Sequence, residues 1–144
     1  MIRELSIYDL HLATQAGREF FIEGKLPGEF IDSVFIASWT RLIHRNIGVV
    51  FGAFHGEQFV GGLGAMIYND LNDDRLVSME LFWYVRAAHR KDGLKLLYCY
   101  EAWAKAKGAA RISMTHLTLN ADKMKRFYES MGYRALDFNY IKTL

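Results

Sequence analysis

Three segments rich in β-favouring residues lie next to one another in the middle of the chain, and a helical pattern follows the third. Residues 47–55 and 58–68 are apolar runs, and the turn at residues 55–57 between them predicts a β-hairpin. Residues 76–86 predict a third strand, buried on both faces. From Gly93 onward the apolar residues recur at helical spacing. A hairpin followed by strand–turn–helix does not fit a pure Rossmann sheet and predicts a mixed sheet covered by helices.

The other segments complete one α/β domain (an α+β type mixed sheet) over residues 1–144, in the order β-α-α-β-β-β-α-β-α-β. Residues 2–7 alternate as a short strand, and Pro27-Gly28 separates a first helix from a second over residues 29–45. The later elements are a helix ending near Lys107-Gly108, a strand through Ile112, Met114 and His116, a helix over 122–131, and one or two strands within 133–143.

Composition excludes several classes of function. The net charge is +2, and the basic residues form no stripe with interleaved aromatic residues, so we expect no nucleic-acid partner. The apolar runs are short and interrupted, so we expect no membrane partner. One cysteine, Cys99, excludes an internal disulfide, and the histidines lack ligand spacing, so we expect no metal. The first residues lack a basic region followed by an apolar stretch, so we expect a cytoplasmic protein.

A basic turn joins the third strand to the following helix. The first backbone N–H groups of a helix have no partner within it and can bind an anion. Gly93 would allow a ligand to approach the backbone closely. Positive charge surrounds this point, from Arg86, His89, Arg90, Lys91 and Lys95. A diphosphate is the expected ligand, and a solvated basic turn is the alternative.

This turn resembles the acetyl-CoA pattern of the GNAT acetyltransferase superfamily, (Gln/Arg)-x-x-Gly-x-(Gly/Ala) at a helix start. In residues 90–95, Arg-Lys-Asp-Gly-Leu-Lys, the arginine and the first glycine match, and Lys95 replaces a small residue. Residues 127–133 are similar to the second family motif, with Asn120 one residue too far upstream and Met124 at the alanine position. The strand over residues 80–85 resembles the central family strand, which bends at a bulge and pairs with the pantetheine arm.

The resemblance implies an N-acetyltransferase that moves an acetyl group from acetyl-CoA, its co-substrate, to a primary amine of a small molecule or a protein. Direct attack through a tetrahedral intermediate needs a proton acceptor, an oxyanion stabiliser and a proton donor for the sulfur. The alternative is a non-catalytic acyl-CoA-binding or regulatory module with the same fold. Dimers are common among GNAT proteins, so a homodimer is an open expectation. The implied cofactor-binding residues are Phe82, Trp83, Tyr84, Val85, Arg90, Lys91, Asp92, Gly93, Leu94, Lys95, Asn120 and Phe127.

Glu80 is the one carboxylate in the apolar strand over residues 76–86. A charge is seldom buried without a partner or a purpose. Burial would also raise the pKa of a carboxyl group towards the range that suits a general base. Glu80 is therefore the candidate base. The alternative is a strand-end glutamate paired with Arg75 or Arg111.

Tyr128 and His116 are the other candidate catalytic residues. By the resemblance, Tyr128, four residues before Gly132, lies near the CoA sulfur and acts as general acid, which a pKa of about 10 permits. The alternative is a packing tyrosine with an exposed hydroxyl. His116, at the end of its expected strand, would relay protons or contact substrate, and a structural histidine is the alternative.

Overall fold

The computed structural model describes residues 1–144, and its elements follow the expected order as far as the last helix. The strands are β1 (Ile2–Glu4), β2 (Gly48–His55), β3 (Gln58–Asn69), β4 (Leu76–Val85) and β5 (Arg111–Ser113). The helices are α1 (Leu10–Glu23), α2 (Asp32–His44), α3 (Asp92–Ala106) and α4 (Ala121–Ser130), with a 3-10 turn at Ala87–His89 between β4 and α3. None of these helices is long and apolar enough to cross a membrane.

The five strands form one mixed sheet in the order β1-β2-β3-β4-β5, which confirms the predicted fold class. The pairs β1–β2, β2–β3 and β3–β4 are antiparallel, and β5 runs parallel to β4. β4 pairs with β5 only through Val77–Met79. The rest of β4, residues 80–85, therefore has no neighbouring strand on that edge, and the two strands diverge to open a cleft.

Helices cover both faces of the sheet. α1 and α2 pack on one face, around Leu10, Trp39 and Phe82, and we call it the aromatic face. α3 and α4 pack on the other, around Leu96 and Tyr100, and we call it the cleft face. The apolar periodicities of α1 to α3 place their buried residues against these faces, as amphipathic helices require.

Gly64 of β3 lies against two aromatic rings. A Cβ atom there would overlap Phe82 Cε1 and lie 2.6 Å from Trp39 Cη2. Because an extra methyl group in a packed core forces its neighbours to shift, we expect Gly64→Ala to lower the free energy of unfolding by about 1–3 kcal/mol. Urea denaturation measures this change. The control is Gly93→Ala, whose Cβ would lie 3.3 Å from Trp83, and an equal loss in both variants would contradict the explanation.

The prediction of one or two strands within residues 133–143 is wrong. Leu136, Phe138 and Tyr140 alternate as in a strand, but they are 77%, 83% and 90% exposed. Residues 134–144 form no backbone–backbone hydrogen bond. A strand needs a partner ladder, and the three residues of β5 offer too short an edge to hold one.

The first strand is also shorter than the predicted residues 2–7. It ends at Glu4, although the Leu5 N–H still donates to the Val50 carbonyl oxygen of β2 at 2.8 Å, and the residues from Ser6 form a turn instead of a ladder. The Ser6 N–H and hydroxyl both donate to Asp9 Oδ2, at 3.1 and 2.8 Å. A side chain that binds the backbone in this way competes with strand pairing.

Candidate active site

A β-bulge in β4 determines which face receives each side chain. Gly64 and Ala65 are adjacent on β3, yet they pair with Phe82 and Glu80, so Leu81 has no partner. Directly paired residues share a face of an antiparallel sheet. The bulge therefore places the Phe82 side chain on the aromatic face and the Glu80 side chain on the cleft face.

Glu80 is buried, with 3% of its surface exposed. The Thr115 N–H and the Thr115 hydroxyl both donate to Glu80 Oε2, at 3.1 and 2.9 Å. Burial raises the pKa of Glu80 from its ordinary 4.5 to about 7, and the hydrogen bonds from Thr115 offset part of this rise. A carboxyl group that titrates near neutral pH is suited to accept a proton.

The alternative in which Glu80 pairs with Arg75 or Arg111 is wrong. Arg111 instead contacts two carboxylates of the loop after β3, Asp73 at 3.0 Å and Asp70 at 3.3 Å. The carboxylate of Glu80 has no cationic partner, and its only hydrogen-bond donors in the protein belong to Thr115. Its charge is therefore free of a fixed counterion.

Tyr128 lies on α4 beside the same loop. Its hydroxyl donates to the Thr115 carbonyl oxygen at 3.0 Å, so it is not the exposed hydroxyl of the alternative reading. The ring lies near Trp83, with centroids 6.3 Å apart. Burial raises the pKa of Tyr128 above its usual range, and the charge of Glu80 raises it further. Tyr128 therefore stays protonated at neutral pH, as a proton donor must.

His116 lies in the loop after β5 and not at the end of a strand, which corrects the expected position. β5 ends at Ser113 because the Thr115 N–H donates to the Glu80 side chain and not to a neighbouring strand. His116 is exposed, with Nδ1 2.8 Å from the Leu117 carbonyl oxygen. Its ring stacks on Tyr128 at 6.2 Å.

The start of α3 offers free backbone donors. The N–H of Gly93 donates to the Arg90 carbonyl oxygen at 3.0 Å, whereas those of Asp92 and Leu94 have no acceptor in the protein. Trp83 explains the glycine at position 93, because a Cβ there would lie 3.3 Å from the Trp83 ring. This packing on the indole is a second reason for the glycine, and the approach of a ligand to its backbone stays a prediction.

Three charged side chains of this turn, Arg90, Asp92 and Lys95, already have partners. Asp92 does not cap the helix, and its carboxylate accepts a hydrogen bond from Lys95 Nζ at 3.0 Å. Arg90 lies 3.8 Å from Glu23 and over the ring of Tyr84. An anion at the helix start would therefore compete with Asp92 for Lys95, and with Glu23 for Arg90.

Trp83 has a buried indole Nε1–H with no hydrogen-bond partner. Its ring packs against Phe127, with centroids 6.1 Å apart, and against the start of α3. A buried donor without an acceptor is uncommon because losing water without replacement is unfavourable. This donor is closed off from solvent, so a ligand atom could accept its hydrogen bond only after the side chains around it move.

The side chains of three other predicted residues on β4 do not face the cleft as ligands. Phe82 and Tyr84 lie on the aromatic face, and Val85 is packed in the core of the cleft face. The Tyr84 hydroxyl donates to Glu23 at 2.8 Å, and burial together with Glu23 raises its pKa to about 12. These residues can meet a ligand only through the backbone edge that β5 leaves open.

One cleft of about 2510 Å³ brings most of the predicted residues together, between β4, β5, α4 and the residues after α4. Glu80, Tyr128 and His116 line it, and so do Trp83, Gly93 and Leu94. Asn120 also lines it, as the exposed residue before α4 with a left-handed backbone. The predicted residues that do not line it are Phe82, Asp92 and Lys95.

A second, apolar cavity of about 260 Å³ lies on the aromatic face. Phe20 of α1, Phe35 and Trp39 of α2, and Leu81 and Phe82 of β4 form its wall. Phe20 also lines the cleft, so the two spaces lie side by side. The residue of the bulge, Leu81, lines this cavity, whereas Glu80 lines the cleft.

Sequence reasoning missed Thr115 and the contacts that Glu23 makes. Thr115 supplies both donors to Glu80, and Glu23 binds Tyr84 and Arg90. Nothing in the local sequence distinguishes Thr115, because its partner lies 35 residues away. No three His, Cys, Asp or Glu side chains come together in a way that could hold a metal ion, and the absence of metal stays a prediction.

Comparisons with known proteins agree with this architecture. The model of the acetyltransferase (GNAT) family matches residues 10–133. A transcriptional regulator from Bacillus halodurans C-125 is similar in structure, with a TM-score of 0.81 and 19% identity, over 100% of this chain and 99% of that chain. A predicted acetyltransferase from Clostridium acetobutylicum, solved with acetyl-CoA, has a TM-score of 0.81 and 15% identity, over 100% and 95% of the two chains.

A third similar structure is an aminoglycoside acetyltransferase from an uncultured soil metagenomic sample, solved with sisomicin. Its TM-score is 0.77 and its identity 19%, over 100% of this chain and 95% of that chain. At such identities these structures show the fold alone. No curated protein is significantly similar to the chain in sequence.

Proposed function

The chain belongs to the acetyltransferase (GNAT) family, and from this premise we propose that it transfers an acetyl group from acetyl-CoA to a primary amine of a small molecule or a protein. The observation that carries the proposal is the buried Glu80, which lines the cleft without a cationic partner and has a pKa near 7. A buried group of this kind in a cleft is typical of a catalytic site.

The residues at the start of α3 fit acetyl-CoA as the co-substrate. The free N–H groups of Asp92 and Leu94 are suited to a diphosphate, and Arg90 and Lys91 would add positive charge. The open edge of β4 would pair with an extended arm of the co-substrate.

The proposed transfer assigns one task to each candidate residue. The ammonium group of the acceptor loses a proton to Glu80, and its nitrogen then bonds to the acetyl carbon. The carbon–sulfur bond breaks, the sulfur keeps the bonding pair, and Tyr128 supplies its proton. The nitrogen loses its second proton to solvent, Glu80 releases the first, and Tyr128 regains a proton from solvent. The products are therefore the N-acetyl amine, the free thiol of CoA and one net proton. His116 is placed to pass the proton that Tyr128 regains, because it is exposed and stacks on Tyr128.

A second candidate is a regulatory module that binds acyl-CoA without catalysis. The Asp92–Lys95 contact favours a regulatory role over rapid acetyl transfer, because it leaves a carboxylate at the helix start where the diphosphate of acetyl-CoA would bind. The similar transcriptional regulator from Bacillus halodurans C-125 is consistent with such a role.

Release of free thiol from acetyl-CoA separates the two candidates. The acceptor panel should include polyamines, an aminoglycoside, a lysine peptide, and amines with one aromatic or aliphatic group, since an apolar cavity adjoins the cleft. Thermal unfolding with and without CoA is measured in parallel. Amine-dependent thiol release supports the transferase. Stabilisation by CoA without turnover on any amine supports the module, and no response in either assay contradicts both.

We expect Asp92→Asn to strengthen CoA binding by about twofold to fivefold, because it removes a negative charge beside the diphosphate and frees Lys95. Lys95→Met should weaken it by a similar factor. Isothermal titration with CoA measures both dissociation constants. The control is Asp122→Asn, in the first turn of α4, and weaker binding by Asp92→Asn would show that Asp92 supports the site.

A further inference from the structure

We propose that Thr115 is a positioning residue: it holds Glu80 Oε2 through two hydrogen bonds and leaves Oε1 as the atom that accepts the proton of the amine. This inference rests on the proposed function. It assigns the base to one oxygen of one carboxylate and gives a role to a threonine outside the family motifs.

The two oxygens of Glu80 have different surroundings. Oε2 accepts two hydrogen bonds, from the Thr115 N–H at 3.1 Å and from the Thr115 hydroxyl at 2.9 Å. Oε1 accepts none from the protein. Trp83 Nε1 is the only side-chain polar atom that is both fully buried and without a hydrogen-bond partner. Because Oε1 also has no partner in the protein, it must be partly accessible to solvent. Oε1 is therefore the oxygen that the cleft can reach.

Thr115 is itself held from the other side. Its carbonyl oxygen accepts the hydrogen bond from the Tyr128 hydroxyl, at 3.0 Å. One residue thus contacts both the candidate base and the candidate acid, through different atoms. Because its N–H, hydroxyl and carbonyl oxygen are all engaged, Thr115 fixes the carboxylate in one orientation.

This asymmetry decides where a proton resides. An oxygen that already accepts two hydrogen bonds is a poor site for a further proton, so the proton from the ammonium group goes to Oε1. The nitrogen keeps the electron pair of its broken N–H bond and uses it to attack the acetyl carbon. No oxidant, reductant or further reactant is needed for this step.

The other titratable groups near Glu80 are two tyrosines, Tyr100 of α3 and Tyr128 of α4. Burial raises the pKa of both above the usual range, so both are neutral at working pH. His116 stacks on Tyr128 and is exposed. Since no charged side chain contacts Glu80, loss of a hydrogen bond from Thr115 should appear directly in its titration.

The test compares three variants by pH–rate profiles. Thr115→Val removes the hydroxyl and keeps the N–H and the shape, and Thr115→Ser keeps the hydroxyl. Thr118→Val is the matched control, an exposed threonine of the same loop whose side chain forms no hydrogen bond. The loss of a hydrogen bond to the ionised carboxylate raises the pKa of Glu80. The acidic limb of the pH–rate profile of Thr115→Val should therefore move up by about one pH unit.

We expect kcat of Thr115→Val at pH 7 to fall severalfold and to recover in part above pH 8, with KM for acetyl-CoA within about twofold of wild type. Thr115→Ser and Thr118→Val should keep the wild-type profile. The proposal would be overturned if the acidic limb of Thr115→Val lay at the same pH as that of wild type. It would also be overturned if the limb of Thr115→Ser moved as far as that of Thr115→Val. Thr115→Ala provides a second variant without the hydroxyl if Thr115→Val does not fold.

A carbon-13 NMR titration of the Glu80 carboxyl separates this inference from the proposed function, since it needs no turnover. We expect a higher pKa in Thr115→Val than in wild type. The same pKa in both proteins would refute the role of Thr115 even if acetyl transfer is observed. A higher pKa of Glu80 in Thr115→Val, together with no thiol release on any amine, would support the positioning of Glu80 by Thr115 and contradict the proposed acetyl transfer.

Discussion

Glu80→Gln should reduce turnover by about 10²-fold or more at pH 8, because loss of a general base commonly has an effect of this size. The acidic limb of the pH–rate profile, expected near pH 7 from the pKa of Glu80, should disappear with it. Binding of acetyl-CoA should change little, since the start of α3 is untouched. Thiol release measured from pH 5 to pH 9 tests both statements.

Stability gives an independent readout of the same variant. The folded-state pKa of Glu80, about 7, lies above its ordinary 4.5, so the folded protein binds more protons than the unfolded chain between these values. Wild-type stability should therefore fall relative to Glu80→Gln as pH rises through this window. Urea denaturation at pH 5 and pH 8 measures the difference. A difference that does not change with pH would show that Glu80 titrates normally.

Glu129→Gln is the matched control for Glu80→Gln. Glu129 is an exposed residue of α4 that also lines the cleft, and it pairs with Lys125. Its removal should leave turnover and the acidic limb unchanged. If Glu80→Gln keeps an unaltered profile, Glu80 has no part in proton transfer.

Tyr128→Phe should lower turnover by about 10²-fold and leave the affinity for acetyl-CoA within about twofold. The reason is the loss of the donor that protonates the departing sulfur, while the ring and its contact with Trp83 remain. The acidic limb should stay near pH 7, because Glu80 keeps its donors from Thr115. Steady-state kinetics together with CoA titration separate the two parameters.

Tyr133→Phe is the control for Tyr128→Phe. Its hydroxyl donates to Glu101 at 2.7 Å, and its ring lies 5.5 Å from that of Tyr128. It should retain wild-type turnover. Equal turnover in Tyr128→Phe and wild type would make Tyr128 a packing residue, and a shifted acidic limb would show that it acts by holding Thr115.

The central part of the fold could be predicted from the sequence because its patterns are long. The hairpin of residues 48–55 and 58–69 and the strand 76–85 agree with expectation to within about two residues. The final strands could not be predicted reliably from the sequence. The alternation of Leu136, Phe138 and Tyr140 indicates a segment that is able to pair, but it does not show whether a partner strand is present. The length of β5, which decides this, depends on a side-chain contact 35 residues away in sequence.

The candidate site also has a part that the sequence predicts and a part that it does not. Glu80 stands out because a lone carboxylate in an apolar strand is visible in the sequence. The partner of that carboxylate is not visible, and both arginines considered for it are engaged elsewhere or make no contact with it. The sequence marks Gly93 as a place of close approach, and the Trp83 ring, which only the three-dimensional packing reveals, is one of the groups that pack against it.

The bulge at Leu81 gives β4 two halves of opposite parity. Even-numbered Ser78 and Glu80 face the cleft before it, and odd-numbered Trp83 and Val85 do so after it. One inserted residue thus places Glu80 and the Phe82 ring on opposite faces of a single strand. Substitutions on the aromatic face can therefore reshape the apolar cavity while Glu80 keeps its contacts with Thr115, so the two spaces can change independently.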